Sequence, residues 1–188
     1  EWDSFFKHKI ANNNEGIVEK TRKIQEDYVQ NLIRENGTTM NISLIDKENI
    51  HNNRLQVINQ YEEDGGKHDT RYDVTILVNG LPLVHVELKR RGVAIKSGLY
   101  EYVQIFVISN GTNTKYYSNT TRFSHIKENE NTSRKRSKKT SNSFEFTSFW
   151  ADGNNRIIPD LVDFTRTFFA KHTILNILTR YCVFTTEE

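Results

Sequence analysis

The sequence predicts an α/β fold in which a central β-sheet is flanked by helices. Three observations predict it. Strand-like runs at 71–78 and 83–89 flank Asn79-Gly80-Leu81-Pro82, and Asn-Gly between alternating runs is a strong hairpin signal. An apolar run at 103–109 reads as a buried strand, and a second Asn-Gly, Asn110-Gly111, leads from it into Lys115-Tyr116-Tyr117 as a further hairpin. Apolar residues recur at helical spacing near both ends of the chain.

Taken in order, residues 17–35 read as a helix. Ile17, Ile24, Tyr28 and Leu32 line one face, and Gly37 follows as a stop. Residues 40–44 alternate like a strand, as do 53–61, and 62–69 form a loop by composition. Between 122 and 143 the composition turns to Asn, Ser, Thr and basic residues, and the segment is expected to be a mobile basic surface loop. Two helices close the chain. Pro159 suits a first helical position, with Leu161, Phe164 and Phe168 behind it, and 174–181 form the second.

The 188 residues suffice for one domain with a real core, although only 36% are hydrophobic, so long polar stretches are expected. A net charge of +2 does not by itself demand a nucleic-acid partner. The single cysteine, Cys182, excludes an internal disulfide and a cysteine zinc site and fits a reducing, cytoplasmic setting. No apolar run is long enough to span a membrane. Glu1-Trp2-Asp3-Ser4 resembles neither a signal peptide nor a natural start, and the chain reads as a single domain cut from a longer protein.

The first hairpin decides where its charges go. With a two-residue turn, Val78 faces Leu81 and Tyr72 faces Glu87, which mixes charged and apolar side chains on both faces. With a three-residue loop, 79–81, Val78 faces Pro82 and every later pair shifts by one. Asp73 then lies opposite Glu87, Thr75 opposite His85 and Arg71 opposite Lys89, while Tyr72, Val74, Ile76, Val84, Val86 and Leu88 share the other face. Burying that face contributes roughly 1.5–3 kcal/mol per large side chain, so packing selects this register whatever the loop type.

Two facing carboxylates repel and destabilise a sheet unless something offsets them. A divalent cation held between Asp73 and Glu87 does so, and hard ions such as Mg²⁺ prefer oxygen ligands. Lys89, two residues from Glu87, shares its face and can orient water or stabilise charge developing on a phosphate. The acidic-x-Lys triplet Glu87-Leu88-Lys89 occurs once in the chain. The bland alternative is a solvated sheet face with a cross-strand ion pair.

The run 71–95, which holds Asp73 and Val86-Glu87-Leu88-Lys89-Arg90-Arg91-Gly92, resembles the nuclease domain of the type I restriction endonuclease R (motor) subunit. So do Phe106-Val107-Ile108-Ser109-Asn110-Gly111-Thr112 and Lys171-His172-Thr173-Ile174-Leu175. That domain belongs to the PD-(D/E)xK nucleases, so the resemblance implies a restriction-endonuclease-like core in which the central sheet is mixed and flanked by helices. The resemblance runs from about Glu19 onward. It implies Mg²⁺-dependent endonucleolytic cleavage of double-stranded DNA, with Asp73, Glu87 and Lys89 catalytic. The metal ligands would be Asp73, Glu87 and the Leu88 backbone carbonyl. It also implies partnership with methylation and specificity subunits, and ATP hydrolysis by the complete enzyme. No Gly-x-x-x-x-Gly-Lys-[Ser/Thr] occurs here, so ATP is expected to bind outside this chain.

Two features depart from the family. Tyr72 stands where the family's name has proline, and no Gln-x-x-x-Tyr pair, which supports the family's site, occurs between Gly92 and Val103. Only residues 92–102 would join two strands that the family places in parallel, where a crossover of a dozen or more is usual, so either the family's helix there is shortened or residues are missing. Lys96-Ser97-Gly98-Leu99 is the place to look for a break.

Phosphate contacts supply most non-specific DNA affinity. Arg90 and Arg91, next to Lys89, are candidates, as is the run Arg134, Lys135, Arg136, Lys138 and Lys139; the alternative for each is plain solvation. His85 shares the charged face as a helper or only a polar neighbour. Glu19 or Glu26 could add a helix acid to the metal shell. Tyr116 and Tyr117 read as strand packing, and His51, His68, His125 and His172 show no metal-ligand spacing. Two rival functions remain open: a DNA-binding module that no longer cuts, and a docking domain for other restriction subunits.

Overall fold

A computed structural model of the chain describes residues 1–63, 70–88, 100–119, 121 and 146–182. The chain opens with helix α1 (Trp2–Phe5), which runs on as a π turn over Phe6–Ile10, and then forms α2 (Ile17–Gln25). Strands β1 (Val29–Ile33) and β2 (Thr39–Ser43) make a separate antiparallel hairpin. After a 3₁₀ turn at Ile50–Asn52 come β3 (Leu55–Glu63), β4 (Thr70–Val78) and β5 (Leu81–Glu87). A 3₁₀ turn at Tyr100–Tyr102 precedes β6 (Ile105–Ser109) and β7 (Thr114–Ser118). Helix α3 (Leu161–Phe168) and α4 (Lys171–Asn176) follow, and α4 runs on as a π turn over Ile177–Tyr181.

The five-stranded sheet has the order β3-β4-β5-β6-β7. It is antiparallel throughout except for β5 and β6, which are parallel. The α/β architecture with a mixed sheet is therefore the one expected from the sequence and its family resemblance.

The predicted helix over 17–35 is half right. It stops at Gln25, and residues 29–33 are a strand. Ile24 and Leu32 lie eight residues apart, and eight is even, so the spacing that fits two helical turns fits a strand's alternation equally. Within β1 only Gln30 and Leu32 are buried, which is the strand's period. Gly37, at φ +80°, is the left-handed residue of the β1–β2 turn rather than a helix stop. Pro159 is likewise not the first helical residue. Asp160 caps α3, accepting from the amides of Val162 (2.8 Å) and Asp163 (3.2 Å), and Pro159 precedes that cap.

The core lies between the sheet and the helices. Phe164, Phe168, Ile174, Leu175 and Leu178 present fully buried side chains from the C-terminal helices, and Ile24 does so from α2. Phe168 packs at 4.6 Å from Phe164, 5.0 Å from Tyr116 and 5.1 Å from Trp150 between ring centroids. From the sheet the same core receives Ile76, Val84, Val86, Ile105 and Val107, with Val74 packed against it. These include Val74, Ile76, Val84 and Val86 of the predicted apolar face; the side chain of Tyr72 lies outside the described residues. Leu88, expected on this face, is 42% exposed, because β5 ends at Glu87.

Both faces of β5 are covered. On the side opposite the main core, Phe106 and Tyr117 stack at 5.2 Å and form a second apolar cluster with Val103, joined by Ile108 and Phe146. Thr75, His85 and Glu87 lie on this side and are buried. A solvated sheet face, the bland alternative, is not what forms.

Candidate active site

The β4–β5 hairpin reaches the predicted pairing by a different route. Val78 pairs with Leu81 across a two-residue turn, and not with Pro82. Asn79 at φ +51° and Gly80 at φ +88° are both left-handed, the type I′ geometry that matches strand twist. Leu77 then pairs with Pro82, and the register shifts so that Ile76 pairs with Val84. Leu83 is the extra residue of a β-bulge, and its carbonyl is used outside the hairpin, accepting from the Gln104 amide at 2.8 Å. The bulge does what a three-residue loop was expected to do. Beyond it, Thr75 faces His85 and Val74 faces Val86, as packing requires.

One step further along that register stand Asp73 and Glu87, on the face carrying Thr75 and His85. Asp73 Oδ2 accepts a hydrogen bond from the Leu88 amide at 2.8 Å. The acid of β4 is thus fixed against the residue that follows the acid of β5. Among the described residues Oδ1 of Asp73 takes no hydrogen bond. Glu87 is 7% exposed, and its Oε2 lies 3.8 Å from Nε2 of His85, too far for a hydrogen bond but close enough for electrostatic attraction when the imidazole is charged. His85 in turn meets the edge of Phe106 at 6.2 Å. Its neighbours include a carboxylate and an aromatic ring.

A buried carboxylate is costly unless paired. The side-chain oxygens of Asp73 and Glu87 are hard donors, a type that suits an ion keeping part of its own water, such as Mg²⁺, and does not suit a soft one. The site supplies few side chains: among the described residues no group of three or more His, Cys, Asp or Glu is placed to hold a metal. Glu19 and Glu26, weighed as a third acid, are otherwise engaged. Glu19 closes the capping box of α2 by accepting from the Gly16 amide at 3.0 Å, and Glu26 pairs with Arg22 at 3.6 Å. Lys89, Arg90, Arg91, Arg134, Lys135, Arg136, Lys138 and Lys139 lie outside the described residues. So do His68, His125, the loop 122–143 and the stretch 92–99, where the family's supporting pair would fall.

The aromatic wall beside His85 is not among the expectations from the sequence. Its members come from β6, β7 and the segment after 145, and only the apolar run 103–109 hinted at it. Tyr117 packs there and Tyr116 in the main core, which is the packing role predicted for both.

Residues 3–125 match the family model for the N terminus of the type I restriction enzyme R protein. The chain belongs to this family. It is 45% identical over 205 residues to the endonuclease subunit of the type I restriction enzyme EcoprrI of Escherichia coli, covering 100% of this chain and 60% of that protein. A type I restriction enzyme endonuclease subunit of Staphylococcus saprophyticus is 34% identical over 185 residues, covering 91% of this chain and 18% of its own length. The putative MjaIXP endonuclease subunit of Methanocaldococcus jannaschii is 34% identical over 107 residues, covering 46% and 10%. This member of the R-protein family thus spans three fifths or less of the relatives it matches. None of its described helices is long and apolar enough to cross a membrane.

Proposed function

We propose that this chain carries the phosphodiester-cleaving site of a type I restriction endonuclease, a Mg²⁺-dependent site acting on double-stranded DNA within an assembly that includes methylation and specificity subunits. Family membership supports the reading, as does similarity to proteins named as endonuclease subunits. The observation that carries it is the Asp73–Leu88 contact, which ties the β4 acid to the end of β5 on the face that holds Glu87.

In this reading Asp73, Glu87 and the Leu88 carbonyl hold the ion. Bound there, Mg²⁺ would polarise a phosphoryl oxygen and acidify a water. The Leu88 amide fixes the rotamer of Asp73 and leaves its second oxygen for the ion. The burial of Glu87 keeps most water from its side chain, which strengthens its interaction with a cation. Lys89 orients the attacking water and offsets charge developing on the phosphate. Arg90, Arg91 and the basic run Arg134–Lys139 supply phosphate contacts whose contribution falls with salt. ATP is used by the complete enzyme outside this chain, and the site of action is cytoplasmic.

The test is Mg²⁺-dependent cleavage of double-stranded DNA by the complete assembly carrying Asp73→Asn. Loss of cutting with an intact assembly is expected. Cutting at the wild-type rate would remove Asp73 from the site.

A further inference from the structure

Away from the strand site, the 3₁₀ turn at Ile50–Asn52 and helix α4 bring together two histidines that are 121 residues apart in sequence. Nε2 of His51 lies 3.3 Å from Nδ1 of His172, and the ring planes are inclined by 17°. Two nitrogens this close cannot both carry protons along the same line, so at least one of them presents a lone pair. Both side chains are exposed, so the pair is open to solutes.

The spacing also fits a metal. In a tetrahedral site with metal–nitrogen bonds of about 2.0–2.1 Å, two ligand nitrogens sit about 3.3 Å apart. We propose that His51 and His172 form a two-imidazole site for a transition-metal ion of the Zn²⁺ or Ni²⁺ kind, with water completing the coordination. Such an ion would staple the turn to the helix.

The site is held from both sides. Lys171 donates from Nζ to the His51 carbonyl at 3.1 Å, which clamps the turn to the start of α4. Asn53 donates to the carbonyls of Ile50 (2.8 Å) and Asp46 (2.7 Å), which fixes the turn itself. Beneath the histidines, Ile50 and Ile174 are buried. The Lys171 ammonium opposes an added cation, but it is exposed and screened by salt. Among the described residues no third His, Cys, Asp or Glu completes a larger metal cluster, so the affinity is that of two imidazoles. Mg²⁺, which prefers oxygen, is not a ligand for this pair.

Asn176 decides the tautomer. Its Nδ2 lies 2.9 Å from His172 Nε2 and 2.9 Å from the His172 carbonyl, so it donates to both and leaves the proton of a neutral His172 on Nδ1. Metal binding moves that proton to Nε2. The Asn176 amide then turns to accept it through Oδ1 and gives up its bond to the carbonyl. A carboxylate at 176 accepts the same proton without that loss, as carboxylates behind metal-bound histidines commonly do.

Thermal melting of the full-length protein, free of any histidine tag, in Ni²⁺ or Zn²⁺ tests this. The wild type should gain about 5 °C or more at metal roughly a hundredfold above half-saturation, and nothing from Mg²⁺. Asn176→Asp should reach the same gain at lower metal. His51→Ala, whose side chain is exposed, and His172→Ala should each melt cooperatively and lose the gain. No gain in the wild type, or an equal gain in both histidine variants, would overturn the proposal.

Discussion

The carboxylate of Asp73 accepts the Leu88 amide at 2.8 Å, so a side chain of β4 caps the end of β5 at the point where Glu87 stands. That contact separates two properties which substitution can measure independently. Asn at 73 can still accept the amide through its carbonyl oxygen but carries no charge. Asp73→Asn should therefore keep the melting temperature near that of the wild type while lowering Mg²⁺-dependent cleavage by roughly 10²–10³-fold. A variant that melts much earlier would show the acid to be structural.

The turn that sets the hairpin register depends on Asn79. Its side chain accepts from the Arg54 amide at 2.8 Å and donates to Asn53 Oδ1 (2.8 Å) and the Leu44 carbonyl (3.2 Å), while its backbone is left-handed. Asn79→Ala loses all three bonds and strains the backbone. It should destabilise by about 2 kcal/mol, or roughly 4–8 °C in Tm, with Asn79→Gly, which loses the same bonds without the strain, less affected than Asn79→Ala. Equal melting of Asn79→Ala and the wild type would count against this.

The C-terminal helices hold the sheet through Phe168, which is fully buried between Phe164, Tyr116 and Trp150. Phe168→Ala should cost about 3–5 kcal/mol, read by denaturant unfolding. Loss below about 1 kcal/mol would mean that α3 is not docked as described.

Burial raises the Cys182 thiol to about 11, against the opposing pull of the Lys47 ammonium. The folded state therefore keeps this proton to higher pH than the unfolded chain, whose ordinary value is 9.0. Between about 9 and 11 the native state binds more protons, so this group's contribution to stability is full below 9 and is lost as pH rises through 11. At pH 9 the native thiol should alkylate far more slowly than the unfolded one, as mass spectrometry of iodoacetamide-treated protein would show. Equal rates would contradict the burial.

Much of this was legible in the sequence, and the failures have physical causes. The pairing of β4 with β5 followed from the apolar side chains Val74, Ile76, Val84 and Val86, because a slip would bury charge. The turn length did not follow, because Leu83 bulges out and restores the register without leaving a mark in the composition. Residues 29–33 passed for helix because Ile24 and Leu32 fit both periods. The covering of Thr75, His85 and Glu87 was hidden because Phe106, Tyr117 and Phe146 belong to later segments, and no local pattern reports a contact across the sheet. The approach of His51 to His172 left no trace for the same reason.

The central claim is that Asp73, Glu87 and Lys89 act as one phosphodiester-cutting site. Its most direct test is the complete restriction assembly carrying Lys89→Ala, assayed in parallel for Mg²⁺-dependent cleavage of double-stranded DNA and for ATP hydrolysis. The account predicts lost cleavage with ATP hydrolysis retained. Cleavage at the wild-type rate would contradict it.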